Sequence, residues 1–205
     1  GLFVCSHNKE VIEEAVFSNV RVFGTAPEDL TQYQGYIGSL LEVVDVKSGK
    51  RQILGGDPGS WQAPNWTPDG LTQIYNSEGL LHNFDLATGT SSVMNTDFAD
   101  RNNNDHVISF DGTQMAISHH AEEDGQSVVF TVPLKGGTPK RVTPLSPSYL
   151  HGWSADDKYL VYCAARNGQY DVYRIPVEGG EEEQLTDVST LDDGPEYSPD
   201  GKYIY

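Results

Sequence analysis

The sequence predicts an all-β chain folded as a β-propeller of four-stranded antiparallel blades, six of them when complete. Three observations carry that expectation. A short aspartate turn recurs along the chain, with its aspartates at 69, 111, 156 and 200, so that the steps are 42, 45 and 44 residues. Two β-prone runs follow each complete turn, separated by a polar gap. Each second run ends in a glycine turn and a polar strand. A fixed period of this length is the mark of a repeat architecture, and four short strands per period are the content of one propeller blade.

The turn reads Trp66-Thr67-Pro68-Asp69-Gly70, Ile108-Ser109-Phe110-Asp111-Gly112, Trp153-Ser154-Ala155-Asp156-Asp157 and Tyr197-Ser198-Pro199-Asp200-Gly201. Its residue types have separate reasons. Proline presets φ at the first central position, aspartate caps its own backbone, and glycine supplies positive φ. Asp157 stands where the other copies have glycine, and aspartate tolerates the left-handed region better than most residues.

The strands follow in order. After the turns come Leu71 to Tyr75, Gln114 to Ser118, Tyr159 to Cys163 and Lys202 to Tyr205. The second runs are Leu80 to Leu86, Val128 to Leu134 and Tyr170 to Val177, closed by Gly89, Gly136-Gly137 and Gly179-Gly180. An earlier half-copy spans Leu41 to Gly49 and Lys50 to Leu54. The spacing divides the chain into blades at about 1–60, 63–102, 105–147, 150–190 and a truncated 194–205. On this reading residues 1–205 are one propeller that is itself incomplete, with a helix as an exception at Glu10 to Phe17. The residue before each turn (Trp66, Ile108, Trp153, Tyr197) is expected to pack between blades, because aromatic side chains carry the largest apolar area.

Composition narrows the function classes. The net charge is −17, from 13 basic and 30 acidic residues. That opposes nucleic-acid binding, which needs a basic surface to release counterions, and it opposes docking on anionic lipid. No apolar run approaches the 18 residues of a membrane span, so no membrane insertion is expected. The acidic run Glu178 to Glu183 is expected to be a solvated edge that discourages sheet-to-sheet pairing. Cys163 lies in a β-run and reads as a small buried hydrophobe, with no framework to suggest a bridge to Cys5.

The Trp/Tyr-Ser-Pro-Asp-Gly turn, the β-run after it, the Gly-Gly turn and the closing Gln184-Leu185-Thr186 together resemble the TolB-type propeller repeat of bacterial proteins. The resemblance covers roughly residues 36 to 205, and Tyr197 to Tyr205 and Asp171 to Thr186 are its nearest copies. It implies a non-catalytic module that binds a protein partner or a small ligand at a propeller face, and a periplasmic location. No leader is visible at Gly1 to Lys9, which keeps the cytoplasm open. Two other uses of this repeat stay open: a metal-dependent enzyme of the oligogalacturonate lyase type, and the front domain of a prolyl-oligopeptidase-type peptidase. Fold alone does not choose among them.

Chemical motifs are sparse. There is no Gly-x-Ser-x-Gly elbow, P-loop or His-Glu-x-x-His. Asp100-x-Asn102-x-Asn104 opens like a calcium loop, but Asp105 replaces the glycine at position six and Asp111 the glutamate at position twelve. One constellation is worth weighing. Counting back three residues from the turn serine reaches His106 in one unit and His151 in the next. Asp105 precedes His106, while Asp192 and Asp193 lead into the same position of the following unit. These residues begin the strands expected to line the central channel. Equal register would bring His106, His151, Asp105, Asp192 and Asp193 to one channel mouth. Imidazole and carboxylate suit a divalent metal, with His106 and His151 as its ligands, and they also suit acid–base work. Capping of strand starts and binding of channel water use the same groups.

Overall fold

In the computed structural model, Gly35 and residues 37–205 are described. The chain divides into units Gly1–Ile37 and Gly38–Tyr205, and the account below concerns the second. Glu10 to Phe17, Cys5 and His7 lie outside the described residues.

Among the described residues there is no helix, and the strands group as the repeat requires. β1 (Ser39–Val44) and β2 (Arg51–Asp57) form a two-stranded sheet. The first four-stranded sheet is β3 (Gln62–Trp66), β4 (Thr72–Ser77), β5 (Leu80–Asp85) and β6 (Thr90–Val93). The second is β7 (Asn102–Ile108), β8 (Gln114–Ala121), β9 (Gln126–Pro133) and β10 (Lys140–Arg141). The third is β11 (Ser148–Trp153), β12 (Tyr159–Arg166), β13 (Gln169–Pro176) and β14 (Glu183–Gln184). Each runs in sequence order with antiparallel neighbours. A fifth hairpin begins where Tyr197 bridges Ile204.

The sheets meet through their first strands, β3 against β7 and β7 against β11. These are the inner strands. The middle strands bury both faces, because a blade has a neighbour on each side. In β8, Met115 and Ile117 face the first sheet, packed with Ile74, Leu81 and Val128. Ala116 between them faces the third, with Leu150, Trp153, Leu160 and Tyr162. Successive side chains of a strand point to opposite faces, so a strand with two dry faces reads as a continuous apolar run.

The four turns are congruent. The Thr67, Ser109, Ser154 and Ser198 hydroxyls donate to the carboxylates of Asp69, Asp111, Asp156 and Asp200 at 2.7, 2.7, 2.8 and 2.7 Å. Each hydroxyl also accepts the N–H five residues on. Asp157 holds φ +56°, close to the +68 to +70° of its glycine counterparts. Its carboxylate reaches back to the preceding blade's turn and accepts the Phe110 and Asp111 N–H groups at 2.7 and 2.8 Å. The irregular residue of the repeat is thus a clamp between blades. Asp157→Gly keeps the turn geometry but unpairs both donors; a loss of about 1 kcal/mol is expected in urea unfolding. A variant as stable as the parent would show that the clamp carries nothing.

Two expectations need correction. Trp153 is 2% exposed and donates its indole N–H to the Val107 carbonyl of the second sheet at 2.9 Å. Trp66, at the same repeat position, is 49% exposed. Its partner would be an inner strand of the preceding unit, of which the described residues include only the β1–β2 pair. The Glu178–Glu183 run is also not uniformly solvated. Glu178 and Glu183 are exposed and pair with Lys140 and Arg174, whereas Glu182 is half-buried against Arg166.

Candidate ligand-binding site at the inner strands

Every inner strand carries a β-bulge, but not at one position. In β7, His106, Val107 and Ile108 pair in register with Ile117, Ala116 and Met115, and the shift lies between Asn102 and His106. In β11, Gly152 pairs with Val161 and Leu150 with Tyr162, so His151 is the residue passed over. In β3 the shift lies between Gln62 and Asn65. A bulge re-aims the side chains around it, and a one-residue slip exchanges the faces of a strand.

The two histidines are separated for this reason. The His106 imidazole, on a residue only 2% exposed, sits between the first and second sheets, with Nε2 3.4 Å from the Ile74 carbonyl oxygen. Burial drives its pKa down, so it is neutral at physiological pH. His151 turns toward the segment after the third sheet, with Nε2 3.0 Å from Asp193 Oδ1. The two imidazoles thus have different neighbours, the Ile74 carbonyl for His106 and Asp193 for His151. Among the described residues, no three His, Cys, Asp or Glu side chains group as ligands of one metal ion. Within the calcium-like segment, Asn102 donates its side-chain amide to the Gly79 and Ala99 carbonyls.

The remaining residues do converge. Asp105 stands in the β7 bulge, where Asn103 Nδ2 donates to its Oδ2 at 2.7 Å and its own N–H donates to Asn103 Oδ1 at 2.9 Å. Burial raises the Asp105 pKa; the charge of His151 and the Asn103 bond oppose the rise, and Asp193 adds to it. Asp105, His151 and Asp193 therefore share one electrostatic neighbourhood. Asp192 contributes through its backbone, its carbonyl accepting the Cys163 thiol at 3.1 Å. Burial, followed by the Asp193 charge, pushes that thiol up to about 12, so Cys163 is an inert buried donor.

The sequence reading passed over Glu196. A Cβ on Gly152 would lie 3.3 Å from Glu196 Oε2, so the carboxylate backs onto the inner strand beside His151. Burial raises its pKa, and His151 opposes the rise. The signal was available, since Glu196 lies two residues before Ser198, where Gly152 lies before Ser154. The candidate site is the His151–Asp193 pair with the Asp105 and Glu196 carboxyls within its electrostatic reach, a set suited to a cationic group.

Residues 33–205 match the family model PD40, the TolB beta propeller domain. This chain belongs to that family. It is 42% identical over 172 residues to the uncharacterized protein Atu1656 of Agrobacterium fabrum (strain C58 / ATCC 33970), covering 83% of this chain and 58% of the relative. It is similar to the solved structure of "putative TolB" from Agrobacterium tumefaciens, with a TM-score of 0.77 and 41% identity, covering 82% of this chain and 60% of that one. TolB from Acinetobacter baumannii shares the fold, with a TM-score of 0.68 at 24% identity over 80% of this chain and 42% of that one. The chain thus spans about three-fifths of the length of its Agrobacterium relatives. Within the TolB propeller frame, Asp105 and His151 lie on the first strands of consecutive blades, where the sheets meet.

Proposed function

We propose that this TolB-type propeller is a non-catalytic binding module that receives a cationic group of a partner protein or small ligand at its inner strands. Asp105, His151, Asp193 and Glu196 form the contact set, and His106 is a packing residue. The observation that carries this reading is the 3.0 Å contact of His151 with Asp193 beside the half-buried Asp105 carboxyl, which burial displaces upward and the His151 charge opposes. A buried carboxylate short of countercharge is stabilised by an incoming cation. The ring is read as six-bladed, with three whole blades, the outer half of one (β1–β2) and the opening hairpin of another among the described residues.

The pH dependence has a definite sign. Asp105 has a folded pKa above its unfolded value, so its contribution to stability is fully present below the unfolded value and is lost as pH rises through the folded one. A cation acts in the opposite sense, binding the ionised form. Titration calorimetry of the full-length protein with Nα-acetyl-lysine amide should show tighter binding at pH 7 than at pH 4. Asp105→Asn should weaken binding about tenfold at pH 7. Equal binding of an anionic analogue, or an unchanged affinity in Asp105→Asn, would reject this site.

A further inference from the structure

A second place in the molecule, on the opposite side of the blades from the aspartate turns, is built differently in successive blades. Register makes the comparison exact in residue terms. Tyr162 pairs with Tyr173 in the third sheet, as Ile117 pairs with Phe130 in the second and Tyr75 with His82 in the first. On the outer strand, Gln184, Arg141 and Val93 oppose those residues. Glu182, Pro139 and Ser91 stand two positions before them, and Arg166, Ala121 and Gly79 stand four positions after Tyr162, Ile117 and Tyr75.

In the third blade this crevice is plugged from within. Arg166 makes two bonds to Glu182, at 2.6 and 2.8 Å, and Tyr162 donates its hydroxyl to the same carboxylate at 2.8 Å. The guanidinium lies 5.4 Å from the Tyr173 ring centroid. In the first blade Tyr75 donates to Ser91 at 2.9 Å. The second blade has Ala121, Pro139 and Ile117 at these positions, and none of them can make the plug. Its crevice is open, with a volume of about 1060 Å³ against about 510 Å³ in the third.

The open crevice keeps the aromatic ring that lies beside Arg166 in its neighbour, and carries carboxylates at its mouth in place of Glu182. Phe130 takes the place of Tyr173. Phe98 and His119 stand edge-on to it, with centroids 5.6 and 5.9 Å away. Burial, then the Arg101 charge, lowers the His119 pKa, so its ring is neutral. Asp100, Glu122 and Glu123 line the mouth. Of the two cations in the wall, Arg141 is bound in bidentate fashion to Asp124, at 2.8 and 3.0 Å, and also reaches Glu123 at 3.3 Å, which leaves Arg101 against Asp100 and Glu122. Guanidinium over an aromatic face with carboxylates beside it is a favourable arrangement.

We propose that the crevice of the second blade binds a guanidinium group from outside the chain, in the position that Arg166 fills in the third blade. The group can be carried by an arginine side chain of a peptide or by a small guanidine. This site is separate from the inner-strand cluster and does not depend on it.

The test uses the full chain and Nα-acetyl-arginine amide. Saturable binding is expected, weakened on the order of tenfold by Phe98→Ala. Transplanting the plug, as Ala121→Arg with Pro139→Glu, should abolish binding while circular dichroism and melting temperature show an intact fold. The titrations are run in the Asp105→Asn background, so that cation binding at the inner-strand cluster does not enter the readout. An arginine-containing hexapeptide that binds more tightly than the amide assigns the site to a protein partner, and equal affinity assigns it to a small molecule. No binding by the parent, preference for Nα-acetyl-aspartate amide, or full binding in the folded plug variant would overturn the proposal.

Discussion

Replacing Arg166 with alanine should lower the stability of the chain by about 2–3 kcal/mol, between the cost of breaking a surface pair and that of breaking a fully buried one, because the Arg166–Glu182 pair is part-buried. The pair is not a surface ion pair. The Arg166 and Glu182 side chains are 11% and 15% exposed. The guanidinium also donates to the Pro147 and Ala165 carbonyls and to Ser148 Oγ, which ties the outer strand of the third blade to the segment entering it. Removing it leaves the Glu182 carboxylate with the Tyr162 hydroxyl as donor but without its cation.

The double variant Arg166→Met, Glu182→Met should cost far less, since exchanging a whole buried pair for apolar volume is often neutral. The linkage has a sign as well. Burial raises the Glu182 pKa, but the Arg166 and Tyr162 hydrogen bonds outweigh it, and the net displacement is downward. A folded carboxyl below its unfolded value contributes stability above the unfolded value, lost as pH falls through the folded one. Urea unfolding from pH 7 to pH 3 should therefore narrow the gap between parent and Arg166→Ala. A gap below about 1 kcal/mol at pH 7 would show the plug to be no stronger than a surface pair.

Trp153→Ala should destabilise by about 3–5 kcal/mol, whereas Trp66→Ala should change stability by less than about 1 kcal/mol. The two tryptophans occupy one repeat position, so no pattern in the sequence separates them. Trp153 is enclosed by Val107, Leu150 and Leu160 and has its indole N–H satisfied across the blade boundary. Removing it opens a cavity and leaves the Val107 carbonyl without that donor. Trp66 is half exposed and has neither role. Equal losses in the two variants, measured by chemical denaturation, would contradict this assignment of packing.

Much of the architecture was legible from local chemistry. The aspartate turns recur because a hydroxyl, a carboxylate two residues later and a left-handed residue form a hydrogen-bonded unit that needs no distant partner. The strands between them are apolar because a blade is covered on both faces. The tolerance of Asp157 for the left-handed region was likewise a local property. What Asp157 does with its carboxylate was not, since its partners lie 47 and 46 residues away in the turn of another blade.

The site divides along the same line. The residue types that converge at the inner strands could be listed from the repeat frame, because equal offsets place residues on equivalent strands. Which of them meet was decided by the bulges. His106 pairs in register and is driven between two sheets, while His151 is passed over and turned toward Asp193. A bulge is settled by how neighbouring sheets pack, and it leaves no periodic mark in the chain. The open crevice is of the same kind: Ala121 and Pro139 are unremarked in a sequence, and their meaning lies in the Arg166–Glu182 pair that the next blade builds at those positions. Repeat spacing specified the blades, whereas contact between blades, made by residues about one period apart, determined which side chains share a space.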